Sequence, residues 1–259
     1  MRSKLTILPA RALETSAILT RARLAGSALP GPPPGLPDDL DTAYAIQHHS
    51  ISEWPDSVAG WKVGGVPADY VEHFNETRLA GPVFARSVVH ANEQRAARMP
   101  VFSAGFAAIE PEFVLRIGRK RSEDKLFIGA EIASSPIPAI NDFGPTAVIS
   151  DFGNNNGLLI GSEIEEWLNE SEPVTVTAHI DNEQVAAREV SALCGDVEAA
   201  RKFLFDLAER LGFALPPGTY ISTGAITGVH EATIGASSKL DFGRFGELRL
   251  ELVQAKPVV

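Results

Sequence analysis

The stretch Ile109-Glu110-Pro111-Glu112-Phe113-Val114-Leu115 alternates with period two. Successive side chains of an extended chain point to opposite faces, so Glu110 and Glu112 share one face while Ile109, Pro111, Phe113 and Leu115 share the other. Two adjacent carboxylates repel unless a cation or a shared proton lies between them, and a hard divalent ion with oxygen ligands meets that need. The plain alternative is a strand whose acidic face is solvated. Pro111 has no N–H to give to a ladder, which marks an edge position.

Working outward, a third carboxylate, Glu131, interrupts the small and apolar run Phe127–Ala133, which reads as a buried strand. A buried glutamate needs a partner, either a metal or an arginine such as Arg116. Upstream, Lys62 stands in Gly60-Trp61-Lys62-Val63-Gly64, where the glycines would let a ligand approach the backbone. A desolvated lysine can serve as an acid/base group, whereas the bland reading is a surface turn. Downstream, Ser222-Thr223-Gly224 follows a strand-like Thr219-Tyr220-Ile221 and could offer hydroxyl and N–H groups to a carboxylate. The glycines of Gly153-Asn154-Asn155-Asn156-Gly157 suggest a phosphate loop, but the Walker lysine and the strand–helix context are missing. No Gly-x-Ser-x-Gly elbow occurs, and His48, His49 and His230 have no metal-ligand spacing to another His or Cys.

Around these motifs the pattern predicts a helix from Ala10 to Leu24 stopped by Gly26, an extended proline-rich connector over Leu29–Pro37, and a second helix from Asp39 to about Trp54 ended by Pro55. Beyond Gly60 the chain turns strand-rich. Val174–Ile180 alternates and meets a turn at Asp181-Asn182-Glu183, predicting a hairpin, and Glu247–Leu252 alternates likewise. One long helix is expected with Asp196 as N-cap, Val197, Ala200, Leu204, Leu207 and Leu211 on its apolar stripe, and Gly212 just past its end. The expected division is a helical portion over 1–58 and a β-rich catalytic domain over 59–259.

Composition narrows the function. The net charge of −10, with no Lys/Arg cluster longer than Arg119–Arg121, argues against a nucleic-acid partner. Cys194 alone makes neither an intramolecular disulfide nor a thiolate metal site, which fits a reducing compartment. Arg2 and Lys4 precede Leu5–Leu13, but Pro9 and Arg11 break that run before it becomes a leader, and no apolar window is long enough for a membrane span. A cytoplasmic location is the expectation.

In chain order, Ala43-Tyr44-Ala45-Ile46-Gln47, Gly60-Trp61-Lys62-Val63-Gly64, Gly81-Pro82-Val83-Phe84, the Glu110-Pro111-Glu112 strand, Ala130-Glu131-Ile132, Asp151 with the Gly157–Gly161 run, and Ser222-Thr223-Gly224 through Thr227-Gly228 resemble the 2-keto-4-pentenoate hydratase and 2-oxo-hexenedioate decarboxylase branch of the fumarylacetoacetate hydrolase superfamily. The sequence departs from that pattern at Gly65-Val66-Pro67 and at Phe152–Asn156. The resemblance implies an α+β fold, a fumarylacetoacetase C-terminal-like mixed, mostly antiparallel β-roll with an N-terminal helical portion. It implies a Mg2+ or Mn2+ ion held by Glu110, Glu112 and Glu131, with Lys62 as acid/base group and Asp151 in a supporting catalytic role. Ser222, Thr223 and Gly224 would hold the substrate carboxylate. The expected activity is hydration of a 2-hydroxy-dienoate or 2-oxo-enoate acid in aromatic-compound catabolism. The alternatives are decarboxylation of a 2-oxo dicarboxylate, with Arg78 or Arg86 receiving the second carboxylate; hydrolytic C–C cleavage of an acylpyruvate-like diketone, with His73 or His230 as base; and a catalytically silent ligand-binding relative. A homo-oligomer, and pairing with another enzyme of the pathway, are also expected.

Overall fold

The computed structural model describes residues 8–92 and 94–258, so the leader reading of Arg2 to Ile7 lies outside the described residues. Helix α1 (Ala10–Ala25) ends where Gly26 takes a left-handed φ of 63° and returns its N–H to the last turn. Helix α2 (Leu40–Glu53) is capped by Asp39, whose carboxylate accepts the Thr42 N–H at 2.8 Å, and it stops before Pro55. Both helices pack onto the strand-rich body: Tyr44 Oη accepts the Ala80 N–H at 3.1 Å, and the Gln47 amide donates to the carbonyls of Ala80 and Ile149. Part of the Ala43–Gln47 motif is therefore a clasp between the helices and the body.

The remaining elements are β1 (Val58–Gly65), α3 (Ala68–Phe74), β2 (Arg78–Phe84), β3 (Val88–His90), β4 (Ala97–Val101), β5 (Phe106–Arg116), β6 (Lys125–Ser135), α4 (Gly144–Ser150), β7 (Asn155–Ile164), β8 (Val174–Ile180), β9 (Glu183–Val190), α5 (Leu193–Leu211), β10 (Tyr220–Ser222), β11 (His230–Glu231), β12 (Ser237–Asp241) and β13 (Glu247–Gln254). They form an eight-stranded sheet in the order β2-β1-β10-β5-β6-β7-β3, with β11 also on β5, and a five-stranded sheet in the order β4-β13-β12-β8-β9. Among the described residues only β1/β10, β3/β7 and β4/β13 are parallel pairs, so the expected mixed, mostly antiparallel α+β architecture is what forms. Asp181 and Asn182 both take positive φ, which gives the β8–β9 hairpin a two-residue turn of the hand that suits twisted strands.

The long β5–β6 hairpin is the spine of the large sheet, and Phe113 meets Phe242, just past the end of β12, at a centroid distance of 5.9 Å. Ile109, Phe113 and Leu115 are buried, each worth roughly 1.5–3 kcal/mol.

Two alternatives fall and two expectations need correction. The acidic face of β5 is not solvated: Glu110 and Glu112 are buried. Glu131 does not pair with Arg116; its cationic neighbour is Lys62. Pro111 lies in an interior strand rather than at an edge, with β6 on one side and β10 and β11 on the other. It is tolerated because β10 pairs only as far as Val114 and β11 only from Ile109. The Pro111 carbonyl accepts the Ile226 N–H across that gap, and the proline nitrogen faces the same way, so no ladder bond is lost. Finally, α5 begins after Ala192, and Asp196 lies in its first turn rather than at the cap. An acid suits the positive end of a helix at either place, which is why the pattern could not tell them apart.

Candidate metal centre and active site

Register brings the carboxylates together. Glu110 is directly opposite Glu131 in the β5–β6 ladder, and paired residues share a face, so alternation adds Glu112 to the same face. Lys62 of β1 pairs with Ser222 of β10, and Ser222 with Val114 of β5, which puts Lys62 and Ser222 on that face too. A Cβ on Gly64 would stand 3.2–3.3 Å from the Lys62 Cε and Nζ, so the bare glycine leaves the lysine room to bend toward the carboxylates. None of Lys62, Glu110, Glu112 and Glu131 is more than 5 % exposed.

One oxygen from each of Glu110, Glu112 and Glu131 lies within 4.8 Å of the others. Lys62 Nζ is 3.4 Å from Glu131 Oε2 and donates to Asn154 Oδ1 at 3.2 Å. Glu112 Oε2 accepts the Ser222 hydroxyl and the Gly224 N–H, the latter at 2.9 Å, and Glu131 Oε1 accepts the Asn155 amide at 3.0 Å. Among the described residues two buried oxygens lack a hydrogen bond: Glu112 Oε1, which has no partner, and Glu131 Oε2, which has only the Lys62 ammonium beside it. Burial, reinforced by Glu131, pushes the Glu110 carboxyl up to about 8. Burial also raises Glu112 well above the usual carboxylate range, against the pull of its bonds to Ser222 and Gly224. Burial alone would lower Lys62, but Glu131, Glu110 and Glu112 together outweigh it and raise the ammonium. Oxygen-only donors, crowded negative charge and orphaned oxygens fit a hard divalent cation such as Mg2+ or Mn2+.

Of the three carboxylates, Glu110 lines a cavity of about 660 Å3. Lys62, Glu110, Thr223 and Gly224 line its polar part, Leu79, Val148 and Ile226 its apolar wall. Arg78 of β2 also lines it, half-buried and with no ion-pair partner among the described residues; Arg188 of β9 lines it while donating to the Ile226 carbonyl at 3.0 Å. Arg86 is exposed and away from the lining.

Of the residues singled out for the substrate carboxylate, Ser222 and Gly224 bind Glu112, and the Thr223 hydroxyl donates to the Phe113 carbonyl at 2.9 Å. Asp151 is buried but does not line the cavity; it is paired with Arg23 of α1 at 2.6 Å. His73 and His230 do not line the cavity either, and His230 is bonded to Thr227. Sequence reasoning missed Asn154 and Asn155, whose side chains touch Lys62 and Glu131. The available signal is the Gly-Asn-Asn-Asn-Gly run, which in sequence reads as a failed phosphate loop and as a departure from the family pattern.

No protein-family model matches the chain, and no curated protein matches it by sequence. Solved structures do match by shape. The 4-oxalocrotonate decarboxylase from Pseudomonas putida G7, complexed with magnesium and adipate, superposes with a TM-score of 0.75 at 16% identity, covering 94% of this chain and 97% of that one. The chain has the fumarylacetoacetate hydrolase fold. A 2-hydroxyhepta-2,4-diene-1,7-dioate isomerase from Mycobacterium marinum shares this fumarylacetoacetate hydrolase fold at a TM-score of 0.53 and 16% identity, covering 76% of each chain. Fumarylpyruvate hydrolase from Pseudomonas aeruginosa, in complex with Mn2+ and pyruvate, matches at 0.50 and 15% identity over 75% of this chain and 89% of that one. Among the described residues no helix is long and apolar enough to cross a membrane.

Proposed function

We propose that this chain is a divalent-metal-dependent lyase of small 2-oxo acids whose substrate carries a second carboxylate, and that its reaction is decarboxylation of a 2-oxo dicarboxylate. The observation that carries this reading is Arg78: a half-buried guanidinium without a carboxylate partner among the described residues, in the cavity that Lys62 and Glu110 also line. A bound ion would be held by Glu110, Glu112 and Glu131, and such an ion draws electron density from a 2-oxo group and stabilises negative charge that develops there.

The remaining work falls to this chain's own side chains. Arg78 receives the second carboxylate and fixes the substrate's direction in the cavity. Leu79, Val148 and Ile226 cover the carbon skeleton and keep water away. The bond to the departing carboxylate breaks, CO2 leaves, and the electron pair moves along the conjugated chain to the 2-oxo oxygen. Lys62, kept as ammonium by its carboxylate neighbours, supplies a proton to that oxygen. Ser222 and Gly224 hold Glu112 in place throughout.

Hydration of a 2-hydroxy-dienoate is the second reading, supported by the same carboxylates and Lys62. It makes less use of Arg78 and asks for a group that prepares water. The hydrolytic alternative is weakened for the same reason, since His73 and His230 lie off the cavity. The deciding experiment offers 2-oxohex-3-enedioate and 2-hydroxypenta-2,4-dienoate to the purified protein, in EDTA and with Mg2+ or Mn2+ restored. Metal-dependent CO2 release from the diacid supports decarboxylation. Metal-dependent consumption of the dienoate alone would replace it with hydration, and binding of both acids without turnover would make the chain a ligand-binding relative.

A further inference from the structure

Arg23, on the last turn of α1, is buried and uses every edge of its guanidinium. Nε and Nη2 fork onto the two Asp151 carboxylate oxygens at 2.6 and 2.8 Å. Nη2 also donates to the carbonyls of Asp151 and Ser134, at 2.9 and 3.1 Å. Nη1 donates to the Asn155 carbonyl at 2.9 Å and, at a longer 3.4 Å, to Asn156 Oδ1.

Between the two gripped residues, Asp151 and Asn155, the backbone does something costly. Phe152, Gly153 and Asn154 take φ of 56°, 66° and 53°, a left-handed run that glycine and asparagine tolerate but that disfavours Phe152 by roughly 1–2 kcal/mol. The turn is pressed against β2 so closely that a Cβ on Gly81 would fall 2.2 Å from the Phe152 carbonyl oxygen. Its product is the placement of two amides, Asn154 on Lys62 and Asn155 on Glu131. Such a conformation persists only where its surroundings hold it, and Arg23 holds both ends.

We propose that Arg23 is a positioning residue for the metal centre: by bracketing the left-handed turn it fixes Asn155, whose amide orients Glu131 toward the ion. The inference rests on the metal-holding reading of Glu110, Glu112 and Glu131. It makes α1 part of the site's machinery rather than an appendage to the fold. Its rival is that Arg23 merely fastens α1 to the body.

Titration of Mn2+ into wild type, R23K, N155A and the double variant separates the two, with urea unfolding in EDTA run alongside. Lysine keeps the charge opposite Asp151 but lacks the fork that reaches the Asn155 carbonyl. Partners that orient metal ligands are typically worth 10–100-fold in metal affinity, so N155A and R23K should each weaken Mn2+ about 10-fold. The double variant should be little weaker than either, because both changes cut one path. Should R23K not fold, D151N, which loosens the fork from its other end, carries the same expectation. An R23K protein that unfolds earlier yet binds Mn2+ like wild type would show that Arg23 is only a fastener, and multiplicative losses in the double variant would show that it does not act through Asn155. A wild type that binds no Mn2+ overturns this inference together with the metal reading, whereas a wild type that binds beside unaltered variants overturns this inference alone.

Discussion

The Arg23–Asp151 pair and the Glu110–Glu112–Glu131–Lys62 cluster are both buried, but the first matches one cation to one anion and the second sets one ammonium among three carboxylates. In the first, both Asp151 oxygens and all three guanidinium nitrogens have partners. In the second, among the described residues, Glu112 Oε1 has no partner and Glu131 Oε2 has only the Lys62 ammonium at 3.4 Å. Burying charge is unfavourable wherever it is left unpaired, so a protein that solves the problem at Asp151 and leaves it unsolved at Glu112 is holding the second site for something the chain does not itself provide. The difference teaches how to tell a structural ion pair from a functional one: by its unfilled oxygens, not by its burial.

The comparison breaks most directly at Asp151. D151A leaves a guanidinium buried and unpaired, and breaking such a pair costs about 3–5 kcal/mol, to be read from urea unfolding in EDTA. A loss below about 1 kcal/mol would mean that Arg23 escapes to solvent, and the matched cluster would no longer be matched by necessity. The next effect is smaller and belongs to the cavity. R78A should raise KM for a 2-oxo dicarboxylate by about 10–100-fold, the range for losing one partly desolvated charge contact, while leaving KM for a 2-oxo monocarboxylate within about 3-fold. Equal changes for both acids would remove Arg78 from substrate recognition and with it the main support for decarboxylation.

Much of this was legible in the chain because it is local. Alternation in Ile109–Leu115 announced two carboxylates on one face, Gly26 and Asp39 announced helix ends, and Asp181-Asn182 announced a hairpin turn. What stayed hidden depends on residues far apart. Whether the β5 face is wet or buried is decided by the cover laid over it, and Pro111 is harmless only because β10 and β11 leave a gap beside it. Arg23 looks like any basic residue in the last turn of a helix, and its partner is 128 residues away. Asn154 and Asn155 carried a partial signal, since asparagine and glycine tolerate left-handed backbone, but tolerance of a turn does not say which side chains the turn will touch.

The unmatched cluster also predicts how stability should follow pH. Folded Glu110 holds its proton up to about 8 and Glu112 is raised as well, whereas both titrate near 4.5 when the chain is unfolded. Between those limits the native state binds more protons than the unfolded one, so this site's contribution to metal-free stability falls as pH rises from about 4.5 toward 8. A metal competes with those protons and binds better as they leave, so the gap in unfolding temperature between Mn2+-loaded and EDTA-treated protein should widen from pH 5.5 to 8. E110Q sharpens the point. It removes one carboxylate from the crowd, so at pH 8 the metal-free variant should be more stable than wild type by on the order of 1 kcal/mol, and its stability should vary less with pH. It should also bind Mn2+ less tightly. Removing a carboxylate from the matched pair should destabilise and removing one from the unmatched cluster should stabilise; if E110Q instead loses stability at pH 8, the cluster is already balanced by its own Lys62 and the case for a cation among these glutamates fails.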